Sequence, residues 1–300
     1  MGLFSRAPAV RVTVTPEVVR RRQTVTATVA TDEPIDKVSA ATLEWGYTNF
    51  YRYRWAGRAD SVAAEMNDVW WIMGEAGTDA GSDKGTEDWV PVTKVEVPVV
   101  GGEFTGVTSS FKVPSWAPGS SDDLARWSAR LTLERGGRVD TRADFTVLIG
   151  RDDADVVDEP PRRTAGDGET DMAIVLPSLV FAAGETISGS ITLTPNVDMS
   201  DCELSIHWWH RCISHPLTRT PAAGGGSKRS DTFKLGKGIP LRRGSPVTVP
   251  FAVPLPTDAP PSGEAVHSSL VWFLEATLIC AKLTQGIEKV CRQIVVVNAP

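Results

Sequence analysis

One supersecondary unit occurs twice in this chain, and that repeat restricts the available folds more than any other feature. Residues 251–278 read FAVPLPTDAPPSGEAVHSSLVWFLEATL: a strand, a proline-rich turn and a second strand. Residues 111–133 read FKVPSWAPGSSDDLARWSARLTL, a weaker copy. Residues 111–114 align with 251–254. After a five-residue difference in the turn, residues 127–133 align with 272–278. Further upstream, residues 10–14 match 172–176, and residues 22–29 match 184–191 at a constant shift of 162. Leu43-Glu44-Trp45 matches Ile206-His207-Trp208. A period of half the chain indicates a duplicated domain and excludes a solenoid of short repeats.

The composition agrees with strands joined by turns. Glycine (26) and proline (21) are scattered along the 300 residues, enough chain for two domains with their own cores. Val10, Val12 and Val14 alternate with Arg11 and Thr13, which predicts a strand with one buried and one wet face. In residues 43–55, Trp45, Tyr47, Tyr51, Tyr53 and Trp55 share one face of an uninterrupted strand, with Arg52 and Arg54 on the other. Trp45, Trp127, Trp208 and Trp272 are expected in the core. No apolar run approaches the ~20 residues that span a bilayer. The N-terminus lacks a secretory apolar core, so a cytoplasmic location is expected.

The domains are expected over residues 1–150 and 172–300, with residues 151–171 as an acidic linker containing Pro160 and Pro161. The net charge of −6 divides unevenly: 17 basic and 20 acidic side chains in 1–150, 3 and 8 in the linker, 11 and 9 in 172–300. This distribution lacks the dominant basic face expected of a nucleic-acid binder. Repelling charges and prolines predict an extended linker.

The second half resembles an arrestin-type domain. The residues that carry the likeness are Gly184-Glu185-Thr186-Ile187-Ser188-Gly189, the strand 251–256 ending in Pro-Leu-Pro, the turn Pro260-Pro261-Ser262, and the aromatic-led strand 272–278. With its tandem copy the chain is similar to the two-domain arrestin architecture, and among bacterial relatives to the sporulation-control proteins. The first half departs from the pattern, with Arg22-Gln23 for Gly-Glu and Ala117-Pro118-Gly119 for Pro-Pro-Ser. The resemblance implies an all-β protein of two immunoglobulin-like sandwiches. It also implies a non-catalytic scaffold or regulator that binds other proteins. Its motifs are structural and define a fold better than a function.

Two segments between middle strands are the expected partner-binding sites. Residues 57–90 have no counterpart in the second half. They combine a short helix predicted over 61–73 with an acidic glycine-rich loop, and they offer Trp70, Trp71 and Trp89 as apolar anchors. Residues 222–244 read as a flexible basic loop holding Lys228, Arg229, Lys234, Lys237, Arg242 and Arg243 against the single acid Asp231. That charge would steer an acidic partner or an anionic membrane surface. The bland reading of both is a solvated insertion. Exposed tryptophans also stack on sugars, so a carbohydrate-binding sandwich is the competing function.

Catalytic signals are thin, and no cofactor motif is present. There is no Gly-x-Ser-x-Gly elbow, and Gly224-Gly225-Gly226-Ser227-Lys228 lacks the order of a phosphate loop. All four cysteines and four histidines lie in the second half, five of them within 202–215. A zinc site from Cys202, His210 and Cys212 is the metal-enzyme alternative, because thiolates and imidazoles are the usual ligands. A plain strand explains the same residues. A two-residue turn at Gln285-Gly286 would set Cys280 opposite Cys291, either as packed thiols or as a disulfide; reduced thiols fit a cytoplasmic chain.

Overall fold

The computed structural model describes residues 10–54, 83–156, 158–215, 225–280 and 286–298. The first half contains β1 (Val10–Thr15), β2 (Val18–Arg20), β3 (Thr24–Ile35), β4 (Ala40–Arg54), β5 (Asp83–Val97), β6 (Phe104–Lys112), β7 (Ala125–Glu134) and β8 (Arg138–Leu148). The second contains β9 (Arg162–Ala165), β10 (Thr170–Val175), β11 (Val180–Ala182), β12 (Thr186–Pro195), β13 (Met199–Ser214), β14 (Gly225–Arg229), β15 (Phe233–Leu241), β16 (Val247–Pro254), β17 (Gly263–Glu264), β18 (Ser268–Cys280) and β19 (Gly286–Val297). A single 3-10 turn, Arg151–Asp153, is the one helical element among the described residues.

Each half is a sandwich with the same strand order. The first pairs β1-β3-β6 in one sheet and β2-β8-β7-β4-β5 in the other; the second pairs β10-β12-β16 and β11-β19-β18-β13-β14. Even the parallel pair recurs, β2 on β8 and β11 on β19. The registers agree in detail. Trp127 lies opposite Tyr47 and Phe145, and Trp272 lies opposite His210 and Ile294. The all-β architecture of two sandwiches agrees with what the resemblance implies.

The repeat works through two indoles. Trp127 Nε1–H donates to Pro118 O at 2.9 Å, and Trp272 Nε1–H donates to Pro260 O at 3.0 Å. Both rings are fully buried, and each pins the turn that brings the chain from one sheet to the other. The turns carry matching bonds. Val147 N–H donates to Ser120 Oγ in one, and Val296 N–H to Ser262 Oγ in the other. These contacts equate Pro118 with Pro260, which sets Phe111 in register with Val253 and not with Phe251. The Phe-x-Val-Pro match of the sequence is therefore displaced by one strand repeat.

The departures in the first half keep the geometry. Gly184 has φ +78°, and Arg22 takes φ +67° at the same place. Glu185 accepts from Ala182 N–H at 2.7 Å, and Gln23 accepts from Arg20 N–H at 2.8 Å. The carboxamide does the work of the carboxylate.

Between the sheets of the first half, Trp45 stacks on Phe111 at 5.2 Å, with Tyr47, Phe145, Leu43 and Leu131 around them. Trp208, in the equivalent place to Trp45, sends its N–H to Pro254 O at 3.0 Å. All four tryptophans expected in the core are buried.

Three expectations change. Residues 225–241 are not a flexible loop. They form β14 and β15, which pair with successive parts of β13. Residues 83–90 likewise belong to β5, paired along β4, and are not part of an acidic loop; the helix expected at 61–73 lies outside the described residues. The hairpin register also differs: Cys280 lies opposite Gly286, and Cys291 opposite Glu275. Directly opposed residues of an antiparallel pair share a face, so an inward residue must meet an inward residue. Cys280 belongs to the inward row of Leu270, Trp272, Leu274, Ala276 and Leu278, and Cys291 to the outward row. Cys280, expected as a reduced thiol, instead forms a disulfide with Cys202 across β13, with Cα atoms 4.0 Å apart.

The linker is extended but anchored. β9 pairs with β19, and Glu288, which is buried, accepts the N–H groups of Gly168 and Glu169 at 2.9 Å each.

Replacing Trp127 or Trp272 with Ala is expected to cost about 3–5 kcal/mol. Trp272→Phe, which keeps a ring but orphans Pro260 O, should cost about 1–3 kcal/mol. Urea midpoints measure both, and an unmoved midpoint would take the residue out of the core. Cys280→Ala, which opens a cross-link over 78 residues, should cost about 2–5 kcal/mol. The wild type in reductant should match that variant.

Candidate functional site

The two sandwiches meet along a seam in which polar residues replace the inward apolar row. Asn49, on β4, is fully buried where the alternation calls for an apolar side chain. Its Nδ2 donates to Leu124 O at 3.0 Å and to Ser268 Oγ at 2.8 Å, and its Oδ1 accepts His267 N–H at 2.7 Å. Ser268 Oγ–H donates to Phe50 O at 2.7 Å, and Arg52 N–H to Ser214 Oγ at 2.9 Å. Each polar group of this Asn49–Ser268 cluster is paired, so its burial carries no orphan penalty.

The seam has a pseudo-two-fold axis. By the registers above, Asn49 is equivalent to Cys212. Ser268 and Asp123, each four residues before its tryptophan, are also equivalent. Asn49 bonds Ser268, and Cys212 Sγ–H donates to Asp123 O at 3.6 Å. On the axis, Ile149 N–H meets the equivalent Asn298 (Oδ1, 2.7 Å), and a Cβ on Gly119 would strike the equivalent Pro261 at 2.7 Å. This is the arrangement of an isologous dimer contact, built within one chain.

On either side of the seam lies a cleft. One, of about 490 Å³, is lined by Phe50–Arg52, Gly85–Glu87, Asp122, Asp123, His210, Cys212 and Gly226–Lys228. It runs into a neighbouring hollow of about 500 Å³ through Asp122, Asp123, His210 and Lys228. Across the axis from that hollow, a cleft of about 430 Å³ carries Arg21 and the exposed Trp116 where the hollow has Ala183 and Asp258.

His210 lies against Trp272 with ring centroids 4.5 Å apart, and against Trp208 at 6.5 Å. It is buried, and its Nδ1 has no hydrogen-bond partner among the described residues. Burial lowers its pKa, only partly offset by Asp123, so the ring is neutral at pH 7. Burial likewise raises the Cys212 thiol, which keeps its proton. No hydrogen bond joins the two among the described residues.

The expected site residues scatter. Trp70 and Trp71 lie outside the described residues. Trp89 sits half-buried on β5, its Nε1–H on Glu44 Oε2 at 3.1 Å, with Arg130 5.9 Å above the ring. Its six-membered ring lies over Gly46, where any Cβ would meet it at 2.9 Å. Lys228 pairs with Asp123 at 3.6 Å and Lys234 with Glu203 at 3.3 Å. Arg229, Lys237, Arg242 and Arg243 are exposed. The described ends of the two segments do meet, because Glu87 of β5 and Lys228 of β14 line one cleft. The zinc alternative fails on geometry: Cys202 is bonded to Cys280, eight residues along β13 from His210, and no three ligands converge among the described residues. Sequence reasoning missed Asn49, Ser268 and Trp116. A polar residue interrupting an inward row was the available signal for the first.

Fold and seam together define an all-β protein of two β-sandwiches in one chain. Among solved structures the chain is similar to Spo0M, sporulation control protein, from Bacillus subtilis. The identity is 14% and the TM-score 0.35, over 43% of this chain and 50% of that one, so the match spans half the length of that protein. No family model and no curated protein matches. No described helix is long and apolar enough to cross a membrane.

His207 and His210 are both lowered by burial. The unfolded chain therefore binds these protons first as the pH drops. Their contribution to stability should be complete above about pH 6.5 and decline as the pH falls through the folded values. Denaturant midpoints from pH 8 to 5 should show this loss, and His210→Gln should reduce the slope.

Proposed function

We propose that the chain is a non-catalytic cytoplasmic scaffold or regulator of the arrestin-like, sporulation-control type, acting by protein–protein contact. The observation that carries this reading is the cationic edge of the second sheet. Lys228, Arg229, Lys234, Lys237, Arg242 and Arg243 are all exposed. Five of the six are on, or immediately after, paired strands, so the charge is presented on a rigid edge. Only Lys228 and Lys234 have acidic partners among the described residues, and exposed pairs of that kind hold little energy. Such an edge fits an acidic protein surface and gives a salt-sensitive association rate.

A second reading, sugar binding, has one observation in its favour. Trp89 lines a surface hollow with Thr48, Glu87, Arg130, Asp140, Thr141 and Arg142. Arg130 stands over that ring, which gives protein contact precedence.

The test compares proteins retained from the source organism's lysate by the wild type and by Lys228→Ala/Arg229→Ala and Lys237→Ala/Arg242→Ala/Arg243→Ala. Loss of an acidic partner, graded with salt, is expected. Undiminished retention by both folded variants at low and high salt would reject this edge. Binding to anionic vesicles alone would make it a membrane contact, and a hit on a glycan array lost in Trp89→Ala would favour the sugar reading.

A further inference from the structure

Among the described residues, the two halves differ at one sheet edge. In the second domain, β19 carries two strands on its outer side. β11 pairs at Val295–Val297, and the linker strand β9 pairs at Lys289–Cys291. In the first domain the equivalent β8 carries β2 at Thr146–Leu148, and no described strand pairs on that outer side before Thr146. Burial follows the difference. Glu288 and Cys291 are 6% and 7% exposed under β9. The equivalent Val139 is 46% exposed, and Arg142 is also exposed.

The open backbone groups can be assigned. Thr146 N–H donates outward to Glu17 O at 2.8 Å, as the equivalent Val295 N–H does to Leu179 O. Residues two apart repeat that direction, so Arg138, Asp140, Arg142 and Asp144 turn their N–H and C=O groups to the open side. Their side chains share the outer face, where Asp140 accepts from Arg138 (2.9 Å), Arg130 (3.1 Å) and Thr132 (2.7 Å). Charged residues on an edge ordinarily prevent strand addition. Here their order, Arg-x-Asp-x-Arg-x-Asp, has a further property.

We propose that β8 pairs antiparallel with β8 of a second copy of this chain, joining two first-domain sheets edge to edge about a two-fold axis at Thr141. In that register Arg138 faces Asp144 of the second copy, and Asp140 faces its Arg142. Symmetry doubles both contacts, so four cross-strand Arg–Asp pairs form, and all lie at positions whose backbone groups point across the seam. The neighbouring registers are repulsive. A slip of two residues in either direction sets Asp opposite Asp and Arg opposite Arg, which is unfavourable for directly opposed residues. The ladder therefore selects one register. Val139 is brought against Ala143 of the second copy on the inner face. The hairpin turn before β8 is small, with Gly136 and Gly137 clear of any neighbour within 4 Å. β9 on β19 shows that this edge accepts a strand beside the parallel one. The contact is narrow, so the association is weak and concentration-dependent.

Sedimentation equilibrium of the full chain at low salt, up to roughly 1 mM, should show the mass rising toward twice the monomer value. The rise should be suppressed in high salt. Arg142→Asp alone and Asp140→Arg alone each create like-charge pairs and should weaken association roughly tenfold or more. Mixing the two variants restores every pair, so the mixture should associate while neither does by itself. Thr141→Cys should cross-link spontaneously to itself, because opposed residues at a non-hydrogen-bonded site have Cα atoms about 4.5 Å apart. Asp140 supports Arg130 and Arg138, so Asp140→Arg could misfold. In that event Arg142→Pro takes its place, since the Arg142 N–H is not used within the chain's own sheet. A wild type that stays monomeric throughout overturns the proposal. So does a dimer that survives both Arg142→Asp and Arg142→Pro and is not cross-linked by Thr141→Cys.

Discussion

The fold depends on an indole N–H meeting the carbonyl of a proline turn, once in each half. Trp127 and Trp272 fill the space between their two sheets and at the same time satisfy Pro118 O and Pro260 O. The turn would otherwise bury a carbonyl without a partner, and a buried polar atom left unpaired costs more than the bond itself contributes. One side chain therefore fixes both the thickness of the core and the path of the crossover. The strand pairings that follow, Trp127 to Tyr47 and Trp272 to His210, come from where these rings sit.

Much of this was legible in the sequence, for identifiable reasons. Alternation is a local signal, so the inward rows and the buried status of Trp45, Trp127, Trp208 and Trp272 could be read directly. The internal repeat gave the two-sandwich plan. Register was harder. The Phe-x-Val-Pro match misled by two residues because a slip of two keeps every side chain on its proper face. The predicted Cys280–Cys291 pairing ignored that same parity rule, and the rows of β18 and β19 contained enough alternation to reveal the conflict. The basic segment was misread for another reason. Glycine and lysine are poor strand formers, but β14 and β15 gain their structure from the long edge of β13.

The candidate site was less legible because its residues are drawn together only by the seam. Nothing near Asn49 in the chain announces Ser268 or His267. His210 and Cys212 did stand out, but as part of a ligand cluster. The sheet instead sends Cys202 to a disulfide at the far end of β13 and leaves His210 between tryptophans. Spacing along a strand reports the face a side chain takes, not its surroundings.

The pseudo-two-fold seam has a consequence for symmetry. In a dimer of identical chains, both halves of an isologous contact must be the same, so a change that improves one side is imposed on the other. Joined in one chain, the two sides vary independently. Asn49 with Ser268 is a fully bonded clasp, whereas the matched Cys212 with Asp123 is a single long contact beside an open hollow. Rigidity and access, which identical copies would have to trade against each other, are here assigned to opposite sides of one axis.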